Sequence, residues 1–428
     1  MIDLRLARED PGAVKTALAR RGVDAAEVDR LLEADGRARE AVGRRDELRA
    51  QIKELSRHVG EARRAGDDAK ASELAERSRA CGEDEKAADA QADAALAEVR
   101  DCLLWLPNLP ADDAPDGAGP EDNVVVRRLP EVPREYAEHQ RVPHWDVGAE
   151  LGILDLERGA KLSGSMFPLY RGQGASLIRA LTAFALERHG DVFEEIRPPT
   201  LVRTETMMST GHLPKFADEA YHIERDDLWA IPTAEVPLTS MYRDDILESA
   251  ALPIRLTAAT ACFRRESGAA GRDTRGVLRV HEFDKVELFA YATAEQSAGV
   301  HADMVGRAER LLDELGLEYR VVDLCTGDLG NSSARTFDIE VYAPGSDMWL
   351  EVSSVSWCTD YQARRANIRY RRAEGGPPVF VHTLNGSALA WSRIWAAIVE
   401  SGRRPDGSVE LPDVLAPFVG GRTVIEAR

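Results

Sequence analysis

Apolar residues along the chain fall into runs of different period, and each period predicts an element. Leu4, Leu6, Val14 and Leu18 give residues 1–26 the pattern of a short amphipathic lead-in. Beyond it Leu31, Ala38, Val42, Leu48, Ile52, Leu55, Val59 and Ala62 recur mostly at three- and four-residue steps. Ala71, Leu74, Ser78, Cys81, Ala88, Ala92, Ala95, Val99, Cys102 and Leu106 repeat that spacing. Two long helices follow from this, turning at Gly66-Asp67-Asp68. At about 1.5 Å per residue, roughly 35 residues span about 50 Å, which is long for a helix inside a domain. The pair reads as an antiparallel coiled-coil arm. Leu106-Pro107-Asn108-Leu109-Pro110 ends the second helix, because proline cannot continue it. The Pro-, Gly- and Asp-rich stretch 111–122 is then a linker between an N-terminal domain, 1–110, and a second domain, 123–428.

In the second domain the periods are shorter and mixed, as in an α+β fold. Lys161 to Ser165 leads into a strand over Met166 to Tyr170, Gly174 to His189 forms a helix, and Phe193 to Pro199 forms a strand stopped by two prolines. Thr293 to Leu315 is an amphipathic helix with Thr293 and Gln296 at capping-box spacing. A strand over Tyr319 to Leu324, a turn at Cys325 to Gly330, and paired strands over Asp338 to Tyr342 and Met348 to Ser354 come next. A final strand-to-helix unit runs from His382 to about Glu400. Gln362 to Arg372 is strongly basic and suited to a triphosphate or an RNA end.

The stretch with the most chemistry is Ala261 to Leu288. Phe263-Arg264-Arg265-Glu266 closes one strand, and Val277 to Leu288 alternates apolar and polar residues as a second, half-buried strand. Glycines at 268, 271 and 276 punctuate the loop between. Such strands would hold Arg264, Glu266 and Glu287 over one face, while Arg272, Arg275 and Arg279 fold onto an anion such as a triphosphate. In Ile231-Pro232-Thr233-Ala234-Glu235, a hydroxyl beside a carboxylate suits an ammonium group, while Thr-Ala-Glu taken alone reads as the start of a helix.

Composition narrows the classes. No run of 18 or more apolar residues occurs and half of the first ten residues are charged, so a membrane span and a secretory signal are not expected, and a cytoplasmic protein is. Cysteines 81, 102, 262, 325 and 358 are scattered without a Cys-x-x-Cys pair, against a disulfide scaffold or structural zinc. A net charge of −19 disfavours general affinity for nucleic acid, DNA included, so RNA contact has to be locally basic. Residues 37–64 carry nine Lys/Arg against five Asp/Glu, a net of +4, whereas residues 65–100 carry five against ten, a net of −5. Of the two arm helices the first is the better candidate for phosphate contact, and a solvated coiled-coil surface accounts for the same charges equally well.

Ala261 to Leu288 resembles motif 2 of the class II aminoacyl-tRNA synthetases, in the form typical of seryl-tRNA synthetases. Residues about 180–200, ending in Pro198-Pro199, are similar to motif 1, and about 382–400 to motif 3. The helical arm is similar to the tRNA-reaching hairpin of the same family, so the resemblance covers nearly the whole chain. It implies an ATP-dependent serine--tRNA ligase with ATP as substrate and Mg²⁺ as cofactor, acting on tRNA(Ser), and on tRNA(Sec) where one exists, as a homodimer. It further implies Arg264 at the α-phosphate and serine carboxylate, Glu266 at the adenine amino group, Phe283 stacked on adenine and Arg393 at the γ-phosphate. Glu351 and Ser354 would take Mg²⁺ and ATP, with Arg265, Val280, Val352 and Ser353 beside them. Thr233, Ala234, Glu235, Glu287 and Ser387 would form the serine pocket, and Arg264, Glu287 and Arg393 the catalytic set. A strand pair is expected to set Glu351 near Glu287, with a cation between the carboxylates.

Two positions depart from the family pattern: Trp357, and Trp391-Ser392 before the motif 3 arginine. Either the indoles fill core or they reshape the site, and the second option would make this a specialised copy with altered tolerance to serine analogues. An amino-acid:carrier-protein ligase shares the same core and remains a rival. A non-catalytic paralogue would be expected to lack Arg264, Glu266 or Arg393, which are all present.

Overall fold

The computed structural model describes residues 1–267 and 275–427, so the expectation placed on Arg272, with Gly268 and Gly271, lies outside the described residues. The chain divides into two compact units, one of residues 3–19 and 23–106, the other of residues 1–2, 20–22 and 107–428. Among the described residues no helix is long and apolar enough to cross a membrane.

The first unit is helical: α1 (Leu4–Glu9), α2 (Pro11–Ala19), α3 (Ala25–Arg64) and α4 (Asp68–Trp105). In the lead-in Val14 and Leu18 are buried, but Leu6 is exposed and Ala7 takes the inward position. Asp24 caps α3 by accepting from the Ala26 amide and Asp67 caps α4 by accepting from that of Lys70. The two long helices run antiparallel. Leu48 packs with Cys81 and Ala88, Ala62 packs with Ala71 and Leu74, and Arg37 pairs with Glu98 at 2.6 Å. Arg49 reaches Glu85 at 2.6 Å and Asp89 at 2.8 Å, so part of the basic excess on α3 is spent on α4. Nearer the turn, Lys53, Arg63 and Arg64 are exposed and, among the described residues, form no ion pair.

An eight-stranded sheet organises the second unit: β1 (Val124–Leu129), β2 (Glu194–Glu195), β3 (Ile254–Phe263), β4 (Glu282–Ala292), β5 (Tyr319–Asp323), β6 (Arg335–Ala343), β7 (Met348–Trp357) and β8 (His382–Ala390). Their spatial order is β1-β5-β6-β7-β8-β4-β3-β2. Every neighbouring pair is antiparallel except β2 with β3. The helices are α5 (His144–Glu150), α6 (Leu156–Ser163), α7 (Gln173–His189), α8 (Thr204–Thr210), α9 (Glu235–Ser240), α10 (Ala294–Leu315), α11 (Tyr361–Ala366) and α12 (Trp391–Ser401). The predicted capping box of α10 is present, with the Thr293 hydroxyl accepting from the Gln296 amide and the Gln296 side chain returning to the Thr293 amide.

Parity along β4 separates two faces. Val286 and Leu288 point into the main core, where Leu181 and Phe184 of α7, Leu311 and Leu312 of α10, and Ile394 and Trp395 of α12 cover the sheet. Phe283, Lys285 and Glu287 point the other way, onto a face flanked by α9 and α11, whose Leu238 and Ala363 pack on Leu256 and Phe289.

Several expectations are corrected here. Met166 to Tyr170 is not a strand; its one ladder contact is an isolated bridge from Tyr170 to Leu154. The strand expected over Phe193 to Pro199 shrinks to Glu194–Glu195, where the prolines withhold further donors. β4 starts at Glu282, not Val277, because Val277, Leu278 and Val280 bury their side chains from an irregular segment that packs on the core. Glu351 and Glu287 are not on paired strands, since β8 lies between β7 and β4.

Candidate active site

On the polar face of the sheet two cavities adjoin, one of about 230 Å³ and one of about 200 Å³. Both are lined by Arg264, Lys285, Glu351 and Ser387. Register explains the meeting: Glu287 lies opposite Ala258 on β3 and Ser387 on β8, and Asn385 of β8 opposite Ser356 of β7. Glu351 and Ser354 are three apart on β7 and would face opposite sides of a regular strand. A one-residue bulge at Val352, where the register shifts between Ile339 and Glu340, brings both to the first cavity. A second shift, past Ser387 on β8, places Leu389 at φ +88° and delivers the chain into α12 with Arg393 in its first turn.

The first cavity holds paired charge. The Thr233 hydroxyl donates to Glu287 at 2.8 Å and accepts from the Lys285 ammonium at 2.8 Å, and Lys285 also pairs with Glu287. Glu235, the first residue of α9, accepts from Gln362 at 2.6 Å and from Asn385 at 3.2 Å. Gln362 is fixed in turn by donation to the Thr210 carbonyl and by the Thr383 hydroxyl. Burial, and next the charge of Glu287, push the Glu235 carboxyl up to about 7 against the opposing pull of Gln362, Lys285 and Arg264. His212 borders the same cavity and is held neutral, lowered to about 3 by burial and then by Arg264 and Lys285.

The second cavity is lined by Arg264, Glu266, Arg279, Val280, Phe283, Val352 and Arg393 among others. The Arg264 guanidinium stands 5.2 Å over the Phe283 ring and its Nε reaches the Pro232 carbonyl at 3.4 Å. Glu266 takes φ +50° just past β3 and pairs with Arg279. Arg393 donates to the Leu278 carbonyl at 3.1 Å and to that of Glu351 at 2.6 Å.

Not every expected residue comes to these cavities. Arg265 and Ala234 line neither, and Ser353 is buried with its hydroxyl on the Ser387 carbonyl. Of the loop arginines, Arg279 borders the second cavity, whereas Arg275 stacks on Trp145 at 4.9 Å. Of the basic run 362–372 no residue lines either cavity: Gln362 is buried behind Glu235, Arg364 pairs with Asp360 and stacks on Phe380, and Arg371 pairs with Glu248. Trp391 is fully buried in the main core, and Trp357 is partly buried at the edge of that core, donating to His382 at 3.3 Å. Neither indole lines a cavity, so the geometry gives no basis for a reshaped site. Sequence reading missed Lys285 and Asn385, although each sits two residues before an expected residue on the same strand face. Gln362, arriving from α11, had no local signal.

A mainly antiparallel sheet with an arginine from the end of β3 and another from the start of α12 over one polar face is the core of a class II aminoacyl-tRNA synthetase. Residues 219–402 match the family description "tRNA synthetase class II core domain (G, H, P, S and T)", and residues 1–110 match "Seryl-tRNA synthetase N-terminal domain". A serine--tRNA ligase of Staphylococcus haemolyticus is 44% identical over 427 residues, covering 99% of each chain. One of Gemmatimonas aurantiaca is 48% identical, covering 98% of this chain and 99% of its own. The crystal structure of seryl-tRNA synthetase from Pyrococcus horikoshii complexed with ATP superposes with a TM-score of 0.91 at 35% identity, covering 100% of both chains. The chain belongs to the seryl-tRNA synthetase family.

Proposed function

We propose that this serine--tRNA ligase binds serine in the first cavity and ATP in the second, with Arg264 bridging them. The observation that carries this reading is the shared wall: a carboxylate-lined pocket sized for a small amino acid opens onto an arginine-lined pocket through Arg264. Serine's ammonium group would meet Glu235 and Glu287, and its hydroxyl the neighbouring polar side chains Thr233, Asn385 and Ser387. Phe283 would stack on adenine, Glu266 accept from its amino group, and Arg393 grip the γ-phosphate.

In the first step the serine carboxylate attacks the α-phosphorus, a C(O)O–P bond forms and the bond to pyrophosphate breaks. Two anions have to approach, so the residues' work is positioning and charge neutralisation. In the second step a hydroxyl of the terminal ribose of tRNA attacks the seryl carbonyl and AMP leaves. The residues also suit Mg²⁺. Glu351 and Ser354 line the first cavity and offer hard oxygen donors, and opposite Ser354 on β6 Asp338 holds one carboxylate oxygen buried without a hydrogen bond. Among the described residues no group of three His, Cys, Asp or Glu forms a cage, so these donors fit an ion shared with phosphates. When bound, Mg²⁺ would supply charge neutralisation at the phosphate oxygens.

Glu235 makes the serine step pH-dependent. Its carboxyl sits at about 7 without substrate, and only the ionised form can pair with an ammonium group. Raising the pH from about 6 to about 8 is expected to lower the KM for serine several-fold, levelling off above neutrality. A Glu235→Gln variant whose serine KM keeps the same pH dependence would exclude Glu235 as the source.

The exposed Lys53, Arg63 and Arg64 near the arm's turn support tRNA contact through α3. The domain boundary at 110 is proposed on the helix-ending Pro107 and Pro110, and that at 122 on the end of the Pro-, Gly- and Asp-rich stretch. A face between α7 and β3, lined by Leu169, Ile178, Leu186 and Ala259, supports a homodimer; light scattering at micromolar concentration is expected to give twice the chain mass. A cytoplasmic location fits these substrates.

The deciding experiment is charging of total tRNA with labelled serine in the presence of ATP and Mg²⁺, with threonine, alanine and cysteine in parallel. Serine alone should be transferred. Serine-dependent ATP/pyrophosphate exchange without charging of tRNA would overturn the acceptor assignment.

A further inference from the structure

A closed ring of contacts ties the segment Gly276 to Val280 to the helix of Arg393, and one buried histidine completes it. His144, at the start of α5, and Glu400, near the end of α12, are both fully buried. Nδ1 of His144 lies 2.7 Å from a Glu400 carboxylate oxygen, and the Val277 amide donates to Nε2 at 3.0 Å. An amide N–H only donates, so Nε2 carries no proton and Nδ1–H is the donor to Glu400. Glu400 is pinned by further donors, the amides of His144, Gly345 and Ser346 and the Ser346 hydroxyl. Next along the chain from Val277, the Leu278 carbonyl accepts from Arg393 Nε at 3.1 Å. Arg393 stands about two turns before Glu400 on the same helix. The fit around His144 is close: a Cβ on Gly276, which has φ +65°, would come within 2.1 Å of Nε2.

We propose that His144 is a positioning residue for ATP, which through Val277 fixes the Leu278–Val280 wall of the second cavity and the guanidinium of Arg393. Neither His144 nor Glu400 lines either of the two cavities, so the effect is transmitted and not direct. Without Nε2 the Val277 amide would lose its acceptor, and the wall would lose the contact that sets its distance from α12. The inference rests on the assignment of ATP to that cavity.

The test uses the full chain and three variants. His144→Asn keeps a donor for Glu400 at the Nδ1 position but has no acceptor for Val277. Gly276→Ala keeps both His144 and Glu400 in the chain but forces the segment and the His144 ring apart. His144→Gln places an amide oxygen near the Nε2 position. KM for ATP and KM for serine are measured separately in ATP/pyrophosphate exchange, with a thermal melt of each variant. The first two variants are expected to raise the ATP KM about tenfold and leave the serine KM within about twofold, the size of one lost buried hydrogen bond. His144→Gln should recover part of the ATP affinity. An unchanged ATP KM, or ATP and serine KM values that move together, overturns the proposal. If His144→Asn does not fold, Gly276→Ala decides by the same ratio, and failure of both to fold makes the role structural and overturns it as well. Wild-type protein without serine-dependent exchange would instead refute the ATP assignment.

Discussion

Replacing Arg264 with alanine is expected to reduce kcat/KM for serine-dependent ATP/pyrophosphate exchange by about 10³-fold, the scale of losing a preorganised charge at a reacting centre. The side chain borders both cavities, and its protein contacts are slight: a long hydrogen bond to the Pro232 carbonyl and the face of Phe283. Its loss should therefore leave the melting temperature nearly unchanged while removing the cation between two approaching anions. Arg264→Lys keeps the charge but not the planar fork, and should recover only a small part of the rate. A drop of less than tenfold in the alanine variant would mean that Lys285 or Arg279 does the neutralising.

Glu287→Ala should damage stability as well as activity. Lys285 and Glu287 are a buried pair, with side chains 7% and 2% exposed, and the Thr233 hydroxyl sits between them. Removing one partner leaves an uncompensated buried ammonium, at a cost of about 3–5 kcal/mol. For a unit of this size the thermal midpoint should fall by about 2 °C per kcal/mol. The double variant Lys285→Met with Glu287→Leu separates the two roles, because an apolar pair of similar volume is often as stable as the ions it replaces. It is expected to melt near the wild type and to show no serine-dependent exchange. A double variant as unstable as the single one would place the cost in the lost packing, not in the charge.

Residue spacing made some of this legible. Thr293 and Gln296 announced α10, and the proline pair after Leu106 announced the end of the arm, because capping and proline effects are local. Val277 to Val280 misled, since apolar alternation reports burial and not hydrogen bonding, and this segment is buried without joining the ladder. Lys285 was passed over because a lysine inside a strand is ordinarily a solvent-facing residue; its burial is settled by Glu287 and Thr233, the latter arriving from a loop 52 residues earlier in sequence. Glu351 was visible only through the family resemblance, because period-two reasoning sets it on the opposite face from Ser354.

That last pair shows how the length of a strand can carry information that residue identity does not. The extra residue at Val352 acts as a phase shift: everything on β7 before it is out of step with everything after it. The side chain at 352 is buried in the main core and borders the second cavity, so its size matters as well, but no choice of residue there supplies the shift. Deleting the position would restore the regular alternation and turn Glu351 away while Ser354 stayed in place. In this strand the number of residues sets which side chains reach the cavity, a constraint separate from their kind.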